Sequence, residues 1–189
     1  MYYMIRCQSP FDYEPAILSY TPDRMPDDKL RGWMSGKRFI TPPVEPIKIE
    51  IEQGESGMIL EYYNVMIAIM SRRLAKALAD AGISNIDFYE TEIYDHETRE
   101  TYHDHLAFNL IGTIAAADLS KSIYEAPDGP VISVDFDSVS IDEKKTRGAL
   151  MFRLAEAVNG VVVHESIKNA IEAAGIDTLT FFRPEEWVG

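Results

Sequence analysis

The sequence predicts an α+β fold: a mixed or mostly antiparallel sheet with helices packed on it, containing a duplicated strand-helix-strand unit. Three observations carry this. Ser71 to Tyr89 (SRRLAKALADAGISNIDFY) and His164 to Phe182 (HESIKNAIEAAGIDTLTFF) share Ala77/Ala170, Ala81/Ala174, Gly82/Gly175, Ile83/Ile176 and Phe88/Phe181 at a constant offset of 93 (82 to 175, 88 to 181). Leu74, Ala77, Leu78 and Ala81, like Ile167, Ala170, Ile171 and Ala174, follow the i, i+3, i+4, i+7 spacing of one buried helical face. Ile47, Ile49 and Ile51 alternate with Lys48, Glu50 and Glu52, the period of a half-buried strand.

Met1 to Arg6 reads as a short strand ended by Ser9-Pro10. Residues 10 to 46 carry seven prolines (Pro10, Pro15, Pro22, Pro26, Pro42, Pro43, Pro46), which forbid long helices and keep strands short. Residues 1–57 are therefore expected to wrap on a core formed by 58–189, anchored by Tyr20, Trp33 and Phe39, the whole of 1–189 being one domain. Gly54 to Gly57 is a turn, and Met58 to Met70 leads into the first copy of the repeat.

In that copy Ser71 can cap a helix over about 71–81, and Gly82 ends it at positive φ, with Ile83 folding back onto Leu78. A strand from Ile86 toward Tyr94 turns at Asp95-His96-Glu97, and Thr101 to Leu110 returns beside it. Leu106 to Ser122 suits a buried strand, although Ala115 to Ala117 could begin a helical turn. Pro127-Asp128-Gly129-Pro130 is a turn. Ile132, Val134 and Phe136 alternate with Ser133, Asp135 and Asp137 as a one-sided strand. Ala149 to Val158 fits either strand or helix, with strand favoured, and Asn159-Gly160 signals a hairpin or a helix stop. The second helix, about 165–174, starts after His164, and Glu165 suits its positive end. Pro184 breaks regular structure, and Trp187 packs the tail down.

At 189 residues with 46% hydrophobic and 26% charged residues, the chain is a packed globular protein and not a disordered one. Lysines and arginines number 18 against 31 acidic residues, a net charge of −13, which argues against nucleic acid as a partner and favours a basic protein. Cys7 is the single cysteine, so neither an intrachain disulfide nor a cysteine zinc site is expected. MYYMIRCQSP lacks the apolar run of a secretory signal, and Met58 to Met70 is too short and polar to span a bilayer. A cytoplasmic location without membrane association is expected.

Two patterns could carry chemistry. His96, His103 and His105 beside Asp95 and Asp104 form the best metal-like group, since His103 and His105 would share one face of a strand. Scattered histidines at a polar strand end are the commoner explanation, and no HExxH or cysteine ligand supports a metal. Neither a metal nor any other cofactor is expected. There is no GxSxG nucleophile motif or glycine-rich phosphate loop, and Ser120 and Ser122 beside Asp118 and Lys121 suit turns and caps. Nothing here indicates an enzyme. Asp135, Asp137, Asp142 and Glu143 form an acidic cluster that reads most simply as a solvated face and is also the candidate partner-facing surface.

Ser71-Arg72-Arg73-Leu74, Ala81-Gly82-Ile83, the Phe88 strand and Phe108-Asn109-Leu110-Ile111-Gly112 occur in a familiar order. Asp118-Leu119-Ser120-Lys121-Ser122, Leu150-Met151-Phe152-Arg153-Leu154 and Val161-Val162-Val163-His164-Glu165 complete it. Over roughly residues 58 to 183 this resembles a bacterial immunity-protein family of polymorphic toxin systems, typified by a Myxococcus protein. One departure is His164, where the family pattern leads one to expect serine. The resemblance implies an intracellular protein that binds and neutralises one cognate toxin stoichiometrically, without catalytic residues. Asn109, Asp118, Ser122, Phe152 and Arg153 match the pattern as fold-determining residues, with Arg153 expected to pair with a carboxylate or with carbonyls. The alternatives are a small metal-dependent hydrolase using His96, His103 and His105, or a structural adaptor or homodimer.

Overall fold

The computed structural model describes residues 1–6, 14–19, 32–52, 57–64, 67–125 and 134–189. Strand β1 is Tyr2–Arg6. Among the described residues of the proline-dense segment, β2 (Leu18–Ser19) precedes the isoleucine-alternating β3 (Ile47–Ile51). Strands β4 (Tyr62–Tyr63) and β5 (Ile69–Ser71) lead into helix α1 (Arg72–Asp80). Next come β6 (Ile86–Asp95), β7 (Thr101–Tyr102), β8 (His105–Leu110) and β9 (Thr113–Ile114). A ribbon of β10 (Ile123–Glu125) and β11 (Asp135–Ser138) precedes the short helix α2 (Glu143–Thr146). The chain ends with β12 (Met151–Leu154), β13 (Val161–His164), helix α3 (Glu165–Ala173), β14 (Thr180–Phe182) and a 3-10 turn over Pro184–Glu186.

One sheet has the order β14-β1-β13-β12-β9, the other β2-β3-β6-β8-β5-β4 with β7 also on β6. Among the described strands only β3 with β6 and β9 with β12 pair in parallel, besides an isolated parallel bridge of Pro15 with Met58, so the sheets are mixed and mostly antiparallel.

The repeat extends well beyond the helices. In the first unit β8 lies between β5 and β6; in the second β1 lies between β13 and β14. The registers match residue for residue. Ser71 faces His105 as His164 faces Tyr2, and Phe88 faces Phe108 as Phe181 faces Ile5. On the outer flank Tyr62 and Tyr63 face Met70 and Ile69 as Met151 and Phe152 face Val163 and Val162. The two units differ in chain order: the middle strand follows the unit in the first case and opens the whole chain in the second.

Both helices stop alike. Gly82 (φ 92°) donates to Ala79 O at 3.0 Å and Ile83 to Leu78 O at 3.0 Å; Gly175 (φ 69°) donates to Glu172 O at 2.9 Å and Ile176 to Ile171 O at 3.3 Å. This is the Schellman pattern, whose left-handed residue is most often glycine because it has no Cβ to strain that conformation. Ser71 Oγ accepts from Leu74 N at 3.0 Å, and His164 Nδ1 accepts from Ser166 N at 3.2 Å. The histidine thus replaces the expected serine as an N-cap.

Equivalent residues meet in one core. Met70/Val163, Leu74/Ile167, Leu78/Ile171, Ile83/Ile176 and Phe108/Ile5 pack together, so the helices and one face of each sheet bury a common apolar volume. The opposite faces are covered separately. Phe152, Val162 and Met4 pack beneath Val134, Phe136, Val139 and Trp187. Their counterparts Tyr63, Ile69 and Ala107 pack beneath Ala16, Trp33 and Leu60, with Phe39 against them. Trp33 and Phe39 thus serve as the expected anchors.

Some expectations differ. The strand from Thr101 to Leu110 is interrupted at His103-Asp104, because Arg72 takes the carbonyls of both through Nε and its backbone N–H. Ala115 to Ala117 forms no helical turn; Ala117 bridges Ile141. Residues 151–154, by contrast, are strand as favoured and pair antiparallel with β13, so Asn159-Gly160 does mark a hairpin; Gly160 N donates to Ala157 O at 2.8 Å, placing Val158 and Asn159 at the corner. Cys7, Tyr20, Gly54 to Ser56, Pro127 to Pro130 and Ile132 lie outside the described residues.

Candidate functional site

The four acidic residues of the candidate cluster separate into two pairs. Asp135 and Asp137 point outward from β11 on either side of buried Phe136. Asp142 instead caps α2 by accepting from Lys144 N at 3.0 Å, and Glu143 lies 3.7 Å from the Met1 amine. Lys144 and Arg147 are exposed on that same turn, and Lys145 Nζ donates to Ala117 O, so cations dilute the acidic character there.

The histidines separate too. His105 is buried, with Nδ1 2.8 Å from Asp104 Oδ1 and Nε2 3.1 Å from Leu60 O, so neither nitrogen turns a free lone pair outward. His96 Nε2 sits 3.0 Å from Glu50 Oε2, while His103 is exposed in the break between β7 and β8. His103 and His105 therefore do not share a strand face. Among the described residues no group of three or more His, Cys, Asp or Glu could hold a metal ion.

The residues matching the resemblance are placed in the framework. Asn109 Nδ2 donates to Lys37 O at 2.7 Å. Asp118 accepts from Ser120 and pairs with Lys121 at 2.7 Å, which holds its carboxyl down to about 2; Ser122 Oγ donates to Asp118 O and accepts from Ser140 N. Phe152 is core. Arg153 is fully buried and donates from Nη1 to Asn64 Oδ1 at 3.0 Å and to Val158 O at 2.9 Å. A side-chain amide stands where a carboxylate partner was one expectation. Burial pushes the Arg153 pKa down, and among the described residues its Nε and Nη2 have no hydrogen-bond partner. Glu61 is the counterpart case among acids: burial raises its pKa, while Arg73, at 3.2 Å, opposes that shift without cancelling it.

A surface that sequence reasoning missed lies along β6. Strand β14 ends at Phe182, the counterpart of Tyr89, because Pro184 cannot continue a ladder; β6 runs on to Asp95. The odd residues of this extension are buried, and Ile93 among them packs with Ile47, Ile49 and Ile51 in the core that includes Trp33. The even residues Glu90, Glu92 and Tyr94 continue the face of Ile86 and Phe88 beyond helix α1. Across the strands Lys48 pairs with Glu92, Glu50 stands beside Tyr94 and reaches His96, and Arg72 pairs with Glu90. Lys48 holds the Glu92 carboxyl below its usual range. Phe88 is 37% exposed. The loop before β3 is tied to the edge of β6 at Arg38–Asp87 (2.6 Å) and at Glu45–Glu90 N, with Phe39 on the Trp33 and Tyr89 side, and Ile40 and Val44 on it are exposed. The alternation Phe88, Glu90, Glu92, Tyr94 was the available signal, but it matches any solvated strand face.

Among the described residues no helix is long and apolar enough to cross a membrane. No curated protein matches the chain. The model of the immunity protein family Imm11 matches residues 18–184, a wider stretch than the motifs quoted above, with β1 outside it. That span covers most of the sequence and both helix-containing units: the chain belongs to the Imm11 family of immunity proteins.

Proposed function

We propose that this protein neutralises a cognate bacterial toxin by forming a stoichiometric complex with it in the cytoplasm, without catalysis, and that the toxin presents a basic surface. The observation that carries this is the immunity-family match over residues 18–184. Net charge supports the partner's sign: with 31 acidic against 18 basic residues, long-range attraction favours encounter with a cationic protein. The separation of His96, His103 and His105 supports binding over metal-dependent hydrolysis.

The test is co-expression with the toxin domain encoded beside this gene. Cells should survive only when both are made, the two should co-purify at a fixed ratio, and protection should saturate at that ratio, because a binder blocks toxin molecules one at a time. Protection by substoichiometric amounts, or protection without a complex, rejects the reading.

A further inference from the structure

We infer that the toxin docks on the open face of the β6 extension, and that the occupant of this face is a cationic protein surface. The inference rests on the immunity reading above and adds to it the place of contact. The extension is where the sheet outgrows the duplicated unit: β3 and β7 pair with β6 between Thr91 and Asp95, and among the described residues the second unit has no counterpart of either strand. Its inner side is buried under Trp33, whereas its outer side carries Phe88 and Tyr94 among Glu50, Glu90 and Glu92.

That composition suits recognition of a basic partner. Phe88 and the half-buried Tyr94 offer ring area that gains by being removed from water. The carboxylates lie around it, as in interfaces with a hydrophobic centre and polar rim. Their present partners, Lys48 and Arg72, are about half exposed, and such surface pairs contribute little, so an incoming lysine or arginine can displace them at small cost. The β10–β11 ribbon is the rival surface, since it exposes Asp135, Asp137 and Ile123. The chain beyond it brings Lys144, Lys145 and Arg147, which have no carboxylate partner among the described ion pairs and so repel the same partner, whereas Lys48 and Arg72 on the β6 face are each paired with a glutamate.

The test uses the full chain and the neighbouring toxin domain. Glu50→Lys combined with Glu92→Lys should weaken binding at least tenfold, chiefly through slower association. Asp135→Lys combined with Asp137→Lys should change it less than twofold. Hydroxyl-radical footprinting of the unmodified complex, which needs no variant to fold, should protect Phe88 and Tyr94 and leave Ile123 reactive. Unchanged binding by a folded Glu50/Glu92 variant, or unprotected Phe88 and Tyr94, overturns the docking face while leaving the immunity reading intact. Failure of the wild-type chain to bind overturns both.

Discussion

Arg153 and Asn64 hydrogen-bond to each other from equivalent positions of the two units, one residue past Phe152 and Tyr63. A residue that touches its own counterpart lies where the two halves meet, and here that place holds a buried cation bonded through Nη1 alone among the described residues.

A desolvated charge with incomplete partners adds little net stability. Arg153→Met should therefore leave the protein within about 1 kcal/mol of wild type, or more stable, because an apolar side chain of similar length replaces it. Asn64→Ala should cost about 1–3 kcal/mol, since it removes an acceptor and keeps the cation. Denaturant melts of both variants check this ordering; an Arg153→Met loss larger than that of Asn64→Ala rejects it.

Gly82 and Gly175 differ in their surroundings while sharing a conformation. Nothing lies within 4 Å of a Cβ placed on Gly82, whereas one on Gly175 would sit 3.1 Å from Arg73 Nη2. That guanidinium donates to Ala174 O and Gly175 O at 2.7 and 2.6 Å. Gly82→Val should cost about 1–2 kcal/mol from backbone strain alone. Gly175→Val should cost more, because Arg73 must also move from the end of α3. Equal melting temperatures for the two variants would show that this contact contributes nothing.

His164 and Ser71 do the same work with different atoms, an imidazole Nδ1 in one unit and a hydroxyl in the other. His164→Ala should cost about 1 kcal/mol, and His164→Ser should recover most of it. Thermal melts of the three proteins decide the matter. A serine variant no better than alanine means that the edge contact of His164 with the Tyr2 ring, 5.2 Å between centroids, outweighs the cap.

The helices and their stops were legible in the sequence because 3.6-residue spacing and two glycines act locally. The middle strands were not: His105–Leu110 and Tyr2–Arg6 share a register but no identical residue at equivalent places, and only long-range pairing reveals the relation. Proximity in sequence misled at the histidines, where Arg72 breaks the strand that would have aligned them, and it does not convey that Asp142 of the acidic cluster turns to its own helix. The β6 face was invisible for another reason. Whether a solvated strand face is covered depends on where helix α1 ends above it, which no local pattern encodes.

Two carboxyl groups give stability opposite dependences on pH. Asp118 is held at about 2 in the folded chain, below its ordinary 3.8, so its contribution is present above pH 4 and is lost as pH falls through the folded value. Glu61 is raised from 4.5 by burial, so the fold binds its proton more tightly than the unfolded chain does. Its contribution is full below pH 4.5 and disappears as pH rises through the higher folded value. Replacing each group isolates its limb of the profile. Asp118→Asn should lose most relative to wild type near neutral pH and least in acid. Glu61→Gln should gain on wild type as pH rises through the carboxylate range, even though it weakens the pair with Arg73, because the raised value already includes that attraction. Melting temperatures of the three proteins between pH 3 and 8 supply the comparison, and a Glu61→Gln curve running parallel to wild type would reject a raised Glu61 pKa.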